Sequence, residues 1–391
     1  MANPTRALLF VNSLKGFRGG VERYVADTAM ALRAAGYRVV GLFEQPADNA
    51  AQLDEVFDAT HLWDASAPDA AIDRIRREGV RVAFVHKIAS RTLMDHVLGA
   101  FSTMAFVHDH DYHCLRHHKY FPIAARNCRL PAGLIRCSLC SGLVERHDGS
   151  LRLINPVERL HALRQLRSGV RVLVASRFMR DVLVSNGVAA SRMSILHPFA
   201  GVLPQTARPA AHGGPSRILF VGQIIRGKGL DLLLRAMRLV RGDCVLHVVG
   251  KGNGESEARA LAAQCGLGDR VVFEGWHDST SRFYSRADIA AVPSRWQEPF
   301  GLVGIEALAH GCPVVGFDVG GIGEWLHDGV NGVLVKPGDI RGLAGAIDTL
   351  IASPERRAAM GAHGRSLVEE QFTTGSFVRR FTEEYDRLAA E

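Results

Sequence analysis

Two glutamates eight positions apart stand in Ser294-Arg-Trp-Gln-Glu298-Pro-Phe-Gly-Leu-Val-Gly-Ile-Glu306. A carboxylate accepts hydrogen bonds from vicinal hydroxyls, so each suits one sugar ring. A strand ends at Pro293, a glycine-containing loop follows, and a helix begins near Leu302. The free amides of Phe300, Gly301 and Leu302 at the positive helix end then suit a phosphate. Taken singly, Glu298 is equally a helix-start acid favoured by the dipole, and Glu306 an ordinary helix-surface residue.

A second constellation is Cys114, Cys128, Cys137 and Cys140. The last two form Cys-Ser-Leu-Cys, a knuckle spacing for metal ligands. Four thiolates suit a closed structural zinc site, which is the expected occupant, and would also suit an iron–sulfur cluster. Reduced thiols or a redox-sensitive disulfide are the plainer alternatives. Cys244, Cys265 and Cys312 stand in apolar contexts and read as core. Asp109-His110-Asp111 spells the Asp-x-Asp of metal-dependent sugar transfer, but so short a motif arises often by chance. No catalytic metal is expected.

These residues need elements to position them, and the chain supplies a regular alternation. Apolar runs at Ala7–Asn12, Arg38–Phe43, Arg81–His86, Met104–His108 and Val170–Ser176 predict strands buried on both faces. Gly20–Gly36 predicts a helix, with Val21, Tyr24, Val25, Thr28, Ala29 and Leu32 on one face. Residues 198–216 carry four prolines and three glycines and form the best candidate linker. The alternation then restarts, with strands at Arg217–Val221, Val245–Val249, Arg270–Phe273, Ile289–Pro293 and Pro313–Phe317. Two tandem doubly wound α/β domains follow, 1–197 and 217–391, with the ligand expected in the cleft between them. Phe377, Phe381, Tyr385 and Leu388 mark a last helix that packs on its own domain or crosses back to the first.

Composition narrows the classes. The 391 residues are 47% hydrophobic and 22% charged, which excludes a disordered or collagen-like chain. No apolar stretch reaches the roughly 20 residues of a spanning helix, and the first apolar run is too short for a signal peptide, so a cytoplasmic location is expected. Residues 110–170 carry ten Lys or Arg against four acids, most of the chain's net +7. This basic insertion (about 110–168) predicts an anionic partner. It has few aromatics for base stacking, which argues against nucleic acid.

Taken whole, the segment 294–315 resembles the Glu–seven residues–Glu signature of the retaining glycosyltransferases of family 4. The resemblance extends to Phe220–Leu234 with Lys228 and Gly229, to Val248–Gly254, to Val319–Glu324 and Asp328–Val335, and to Gly19-Gly20-Val-Glu-Arg-Tyr-Val. It is dense from 217 to 345. In the first half it is specific only around 19–36 and 172–197.

The resemblance implies a GT-B fold of two Rossmann-like domains, and a nucleoside-diphosphate sugar as donor. It places Lys228 on the diphosphate, Glu298 on the transferred sugar, Glu306 on the ribose, and Gly19 and Gly20 where backbone approaches the donor. His108, at a strand end, resembles the histidine that reaches the donor sugar; His86, His110 and His113 compete for the role. Family members commonly carry arginine where this chain has Gln223, and Arg226 is the expected replacement for the missing charge. The acceptor domain is the first. An anionic or lipid-linked saccharide acceptor at the inner membrane face fits the basic insertion. A silent nucleotide-sugar-binding protein, or an epimerase or hydrolase on the same fold, are the competing readings.

Overall fold

The computed structural model describes residues 6–17, 19–121, 126–141, 144–147, 150–153, 155–201 and 213–390. The strands are β1 (Ala7–Lys15), β2 (Arg38–Pro46), β3 (Ala59–Leu62), β4 (Val82–Val85), β5 (Ser102–Val107), β6 (Tyr120–Phe121), β7 (Arg126–Asn127), β8 (Val144–His147), β9 (Ser150–Leu153), β10 (Arg171–Val174), β11 (Met193–Ile195), β12 (Ser216–Val221), β13 (Cys244–Val249), β14 (Val271–Gly275), β15 (Ile289–Val292), β16 (Val314–Phe317) and β17 (Gly332–Val335). The helices are α1 (Gly20–Ala34), α2 (Pro68–Arg77), α3 (Arg91–Ala100), α4 (Leu134–Ser141), α5 (Pro156–Arg167), α6 (Arg177–Ser185), α7 (Leu230–Met237), α8 (Glu255–Gln264), α9 (Ser281–Arg286), α10 (Leu302–Ala309), α11 (Ile340–Ile351), α12 (Pro354–Gln371) and α13 (Thr374–Ala389).

Both large sheets are parallel and share one winding. The first runs β3-β2-β1-β4-β5-β10-β11, the second β14-β13-β12-β15-β16-β17. Each starts near its centre, winds outward one way and then returns to wind the other. The switch points lie between β1 and β4 and between β12 and β15. Loops at the carboxyl ends of the strands beside a switch point are where such sheets bind ligands. Gly16–Gly19 follows β1, His86 follows β4, Gly222–Lys228 follows β12 and Pro293–Gly301 follows β15.

Strand pleating explains why the sheets are buried on both sides. In the first sheet Leu9, Val11, Ala83, Val85, Ala105 and Val107 point into one core with Ile75, Val97, Met179 and Leu183. The alternate residues Phe10, Phe84 and Phe106 point the other way, into an aromatic layer with Tyr24 and Phe381. In the second sheet Leu246, Val248, Ile289, Val314 and Val315 are likewise buried. Cys244 and Cys312 are buried among them, and Cys265 is half-buried.

The chain divides into two units, but not by one cut at the linker. The first comprises Met1–His117, Arg129–Pro198 and Thr374–Glu391; the second comprises His118–Cys128 and Phe199–Thr373. The expected linker falls largely on residues 202–212, outside the described residues. The last helix settles a point the sequence left open. Its stripe of Phe377, Phe381, Tyr385 and Leu388 is buried in the first unit. There Tyr37 bonds Thr382 at 2.8 Å, Arg6 grips Asp386 at 3.0 and 2.7 Å, and Arg171 donates to Glu384. The β6–β7 hairpin goes the opposite way, out of the first half of the sequence and into the second unit. Among the described residues no helix is long and apolar enough to cross a membrane.

Candidate functional site

In the second unit the loop after β12 and the loop after β15 meet. Lys228 Nζ lies 2.7 Å from Glu298 Oε1, and Ser294 Oγ donates to the same oxygen at 2.6 Å. Glu298 is buried and Lys228 half-buried. An ion pair whose carboxylate is desolvated is strong only when its lone pairs are hydrogen-bonded, which Ser294 helps to do. Ser294 therefore belongs to the site. Its type and position, four residues before the glutamate, were visible in sequence but carried no signal of that role.

The backbone around Glu298 is fixed from below. Trp325 Nε1 donates to the Phe300 carbonyl at 2.6 Å, and Gly321 N–H donates to the Glu298 carbonyl at 2.7 Å. Gly301 caps α10 with φ +92°, a left-handed conformation that favours glycine. The amides of Gly301 and Leu302 donate to no acceptor among the described residues. They form an open donor pair at a positive helix end, beside an ammonium and a carboxylate. Glu306 stands on the same helix, half-buried, and accepts a hydrogen bond from Tyr284 at 2.9 Å. Burial and that carboxylate push the Tyr284 phenol well above its ordinary range, so it remains a donor. Arg226 is exposed, and its carbonyl accepts from Arg295 at 2.9 Å.

The two residues before Glu298 are held by the β6–β7 hairpin. The Trp296 indole stacks on the His118 ring with centroids 3.4 Å apart. Gln297 Nε2 donates to the carbonyls of Lys119 at 2.8 Å and Cys128 at 2.9 Å. On the other side Gly227, next to Lys228, lies so close to Trp296 that a Cβ there would sit 2.0 Å from the indole. Arg295 forks onto Asp231 with both contacts at 2.7 Å. Trp296, Gln297 and Gly227 thus set the loop, though partners about 70 and about 170 positions away in sequence left no local trace.

In the first unit the four candidate histidines separate by burial. His86, His110 and His113 are buried, and His108 is partly exposed. His110 and His113 pair at 3.0 Å. His86 Nδ1 lies 2.9 Å from His108 Nε2, inside a cage of Phe10, Tyr24, Phe84 and Phe106 rings. Burial holds the His108 pKa down to about 3, with the Lys87 charge adding to it, and holds His86 well below its usual range. Both rings are neutral at pH 7. His86 Nε2 has no partner. A bare ring nitrogen is cheaper to bury than an unbonded N–H. The proton therefore sits on His86 Nδ1 and is donated to His108 Nε2, which leaves His108 with an Nδ1–H facing away from the pair.

Asp109 and Asp111 do not stand open for a metal. Lys87 Nζ bridges them at 3.1 and 2.6 Å, and His117 bonds Asp111. These partners hold the Asp111 carboxyl far below the usual range despite its burial. Gly19 donates its amide to Glu22 at 2.9 Å at the start of α1. Among the described residues, and apart from its own chain neighbours and helix backbone, nothing lies within 4 Å of the place a Gly20 Cβ would take.

Of the four cysteines, Cys128 belongs to the second unit and Cys114, Cys137 and Cys140 to the first. Cys114 and Cys137 line one narrow cleft, where Gly133 N–H donates to Cys137 Sγ at 3.3 Å. Among the described residues no three His, Cys, Asp or Glu side chains converge as metal ligands.

Comparison with known proteins bears on this arrangement. The family model for glycosyltransferase family 4 matches residues 18–200, and the model for glycosyl transferases group 1 matches residues 205–367. A D-inositol 3-phosphate glycosyltransferase of Xylanimonas cellulosilytica is 40% identical over 158 residues, 38% of this chain and 37% of that protein. The lipopolysaccharide core biosynthesis glycosyltransferase LpsE of Rhizobium meliloti is 31% identical over 156 residues, 40% of this chain and 45% of LpsE. The chain spans less than half the length of these curated relatives. Among solved structures, Anabaena HepE in complex with UDP superposes with a TM-score of 0.73 at 17% identity, covering 98% of this chain and all of that one. Sucrose-phosphate synthase of Thermosynechococcus elongatus superposes with a TM-score of 0.70 at 21% identity, covering 98% and 99%.

Proposed function

Because this chain belongs to the family-4-like glycosyltransferases and has the GT-B fold, we propose that it moves a sugar, with retention, from a nucleoside-diphosphate sugar to a hydroxyl acceptor. The observation that carries the reading is the Lys228–Glu298 pair, 2.7 Å apart beside the open amides of Gly301 and Leu302. That set offers positive charge and N–H groups to a diphosphate, and a carboxylate to sugar hydroxyls. Lys228 exchanges Glu298 for the diphosphate and stabilises the negative charge that grows on the leaving oxygen. Glu298, released, accepts bonds from the transferred sugar, and Glu306 from the ribose. Arg226 adds charge at the diphosphate in place of the neutral Gln223. His108 Nδ1–H donates to a donor-sugar hydroxyl.

In the reaction the bond from the anomeric carbon to phosphate breaks and a bond to the acceptor oxygen forms on the same face. The acceptor proton passes to a phosphate oxygen, so no protein nucleophile is required. UDP in the HepE structures makes a uridine donor the first choice. The acceptor, bound by the first unit, is an anionic or lipid-linked saccharide of the cell envelope, in keeping with the lipopolysaccharide-core relatives and the basic insertion. A structural zinc on Cys114, Cys128, Cys137 and Cys140 rests on their number and the Cys-Ser-Leu-Cys spacing alone, and metal analysis of the purified chain tests it.

The test is a donor screen with UDP-, GDP-, ADP- and dTDP-sugars, with and without a lipid extract, following nucleoside diphosphate release. Extract-dependent release from one donor, lost in Lys228→Ala and Glu298→Gln, is expected. Equal release without extract points to a hydrolase. Release that survives both substitutions removes the site from the mechanism.

A further inference from the structure

The insertion carries a surface that the transferase site does not use. Thirteen large apolar residues are exposed among the described residues, and six of them fall between positions 130 and 157. Ile135 (77% exposed) and Leu139 (81%) stand one turn apart on α4, on the same helix face. Leu153 (87%) lies just before α5, and Val157 (59%) is in the first turn of α5, which packs on α4. Leu130 and Leu134 add to the cluster. All six belong to the first unit.

The charge around them is strongly net basic. From Tyr112 to Val157, the span of the cluster, seven Lys or Arg stand against two acids, Glu145 and Asp148. Of these, Arg129 and Arg136 are exposed in the same unit as the apolar cluster, and Arg136 rises from α4 itself.

We propose that α4 and the start of α5 form a membrane-docking surface, with Ile135 and Leu139 entering the acyl boundary of an anionic bilayer while Arg129 and Arg136 bind its headgroups. Scattered exposed leucines are ordinary on any protein, but a cluster set in a net basic segment is not. The shape is that of an interfacial amphipathic element, whose binding sums apolar burial and attraction to anionic lipid. A second copy of the chain fits this face less well. A two-fold contact sets a patch against itself and would bring the arginines of two copies together. The surface deepens the lipid-linked acceptor reading above, by giving the protein a way to reach such an acceptor. Its binding needs neither donor nor acceptor.

The experiment is flotation of the purified chain with phosphatidylcholine vesicles, with and without phosphatidylglycerol, at low and high salt. The wild type is expected to float with anionic vesicles and poorly with neutral ones, with salt weakening binding without abolishing it. Arg129→Gln and Arg136→Gln should each weaken binding about five-fold. Ile135→Glu/Leu139→Glu should weaken it at least about tenfold with an unchanged unfolding midpoint, since both residues are exposed. Equal binding to neutral and anionic vesicles, or equal flotation of the glutamate double variant, overturns the proposal. So does sedimentation that shows a wild-type dimer lost in that variant, which assigns the face to a second copy. Donor binding, measured by calorimetry without lipid, reports separately on the donor site and is expected to be the same in all these variants.

Discussion

Replacing Gly227 by alanine tests how the Lys228 loop and the Glu298 loop are joined. The added Cβ would lie 2.0–2.2 Å from three atoms of the Trp296 indole. Ordinary carbon contacts are about 3.5–4.0 Å, so the ring must retreat by roughly 1.5 Å. It is poorly placed to do so. It stacks on His118 at 3.4 Å, and the Gly227 carbonyl takes the Arg295 and Trp296 amides at 2.8 and 3.3 Å. Overpacking of this kind costs about 1–3 kcal/mol. Alanine stiffens the unfolded chain and returns about 0.4–1 kcal/mol. A net loss of about 1–2 kcal/mol follows, which lowers the unfolding midpoint by about 2–4 °C per kcal/mol for a unit of this size. The functional loss should be larger, because Lys228 is the next residue and Glu298 lies two after Trp296. A displacement of about 1 Å in such groups lowers turnover on the order of a hundredfold. Calorimetry and donor turnover on Gly227→Ala, Trp296→Ala and the double variant make a closed cycle. Once the indole is gone the methyl has room, so the double variant should resemble Trp296→Ala, with a coupling of about 1–2 kcal/mol. A Gly227→Ala protein with wild-type midpoint and turnover, or strict additivity in the double variant, would refute the reasoning.

Three further outcomes are expected. Glu298→Gln should lower turnover at least about a hundredfold while changing stability by no more than about 1 kcal/mol, because Ser294 and Lys228 can still bond the amide oxygen; urea unfolding beside a donor assay separates the two effects. His86 and His108 have folded pKa values below the unfolded 6.5, so the unfolded chain binds the extra protons. Stability is therefore full above pH 6.5 and falls as the pH drops toward about 3, by up to about 1.4 kcal/mol per pH unit for each histidine. Urea midpoints across that range should show the slope, and His86→Phe should flatten it; equal slopes would contradict the neutral pair. Ending the chain at Thr373 should unfold the first unit, because burial of Phe377, Phe381, Tyr385 and Leu388 is worth roughly 6–12 kcal/mol, comparable with the roughly 5–15 kcal/mol stability of a whole domain. Loss of near-ultraviolet dichroism would report it.

The sheets were legible because strands buried on both faces must be apolar throughout. Leu8–Val11, Val82–Val85 and Ile289–Val292 have no other use for such runs. The edge strands Ala59–Leu62, Met193–Ile195 and Gly332–Val335 escaped notice because they are short and only partly buried, so polar residues are tolerated in them. Around Glu298 the loop and helix could be read from local pattern and family likeness. What positions them could not. Gly227 looks like any loop glycine until Trp296 is seen above it, and Gln297 looks like surface until two carbonyls from the hairpin fill its amide. The same holds for His86, which is one more strand-end histidine until it is found to dictate the proton position on His108.

That hairpin has a consequence for how such chains can be recombined. His117 and Lys119 take left-handed backbone angles, φ 63° and 45°, where the chain passes from one unit to the other. A hybrid made by joining the first half of one relative to the second half of another at residues 198–216 would import a foreign hairpin onto the Trp296–Gln297 loop. The inherited piece would have to offer a ring to stack on Trp296 and two carbonyls to Gln297, or the graft would disturb a donor loop that the exchange was meant to leave intact. The natural module here is therefore two segments taken together, and a faithful exchange carries residues 118–128 along with 199–373.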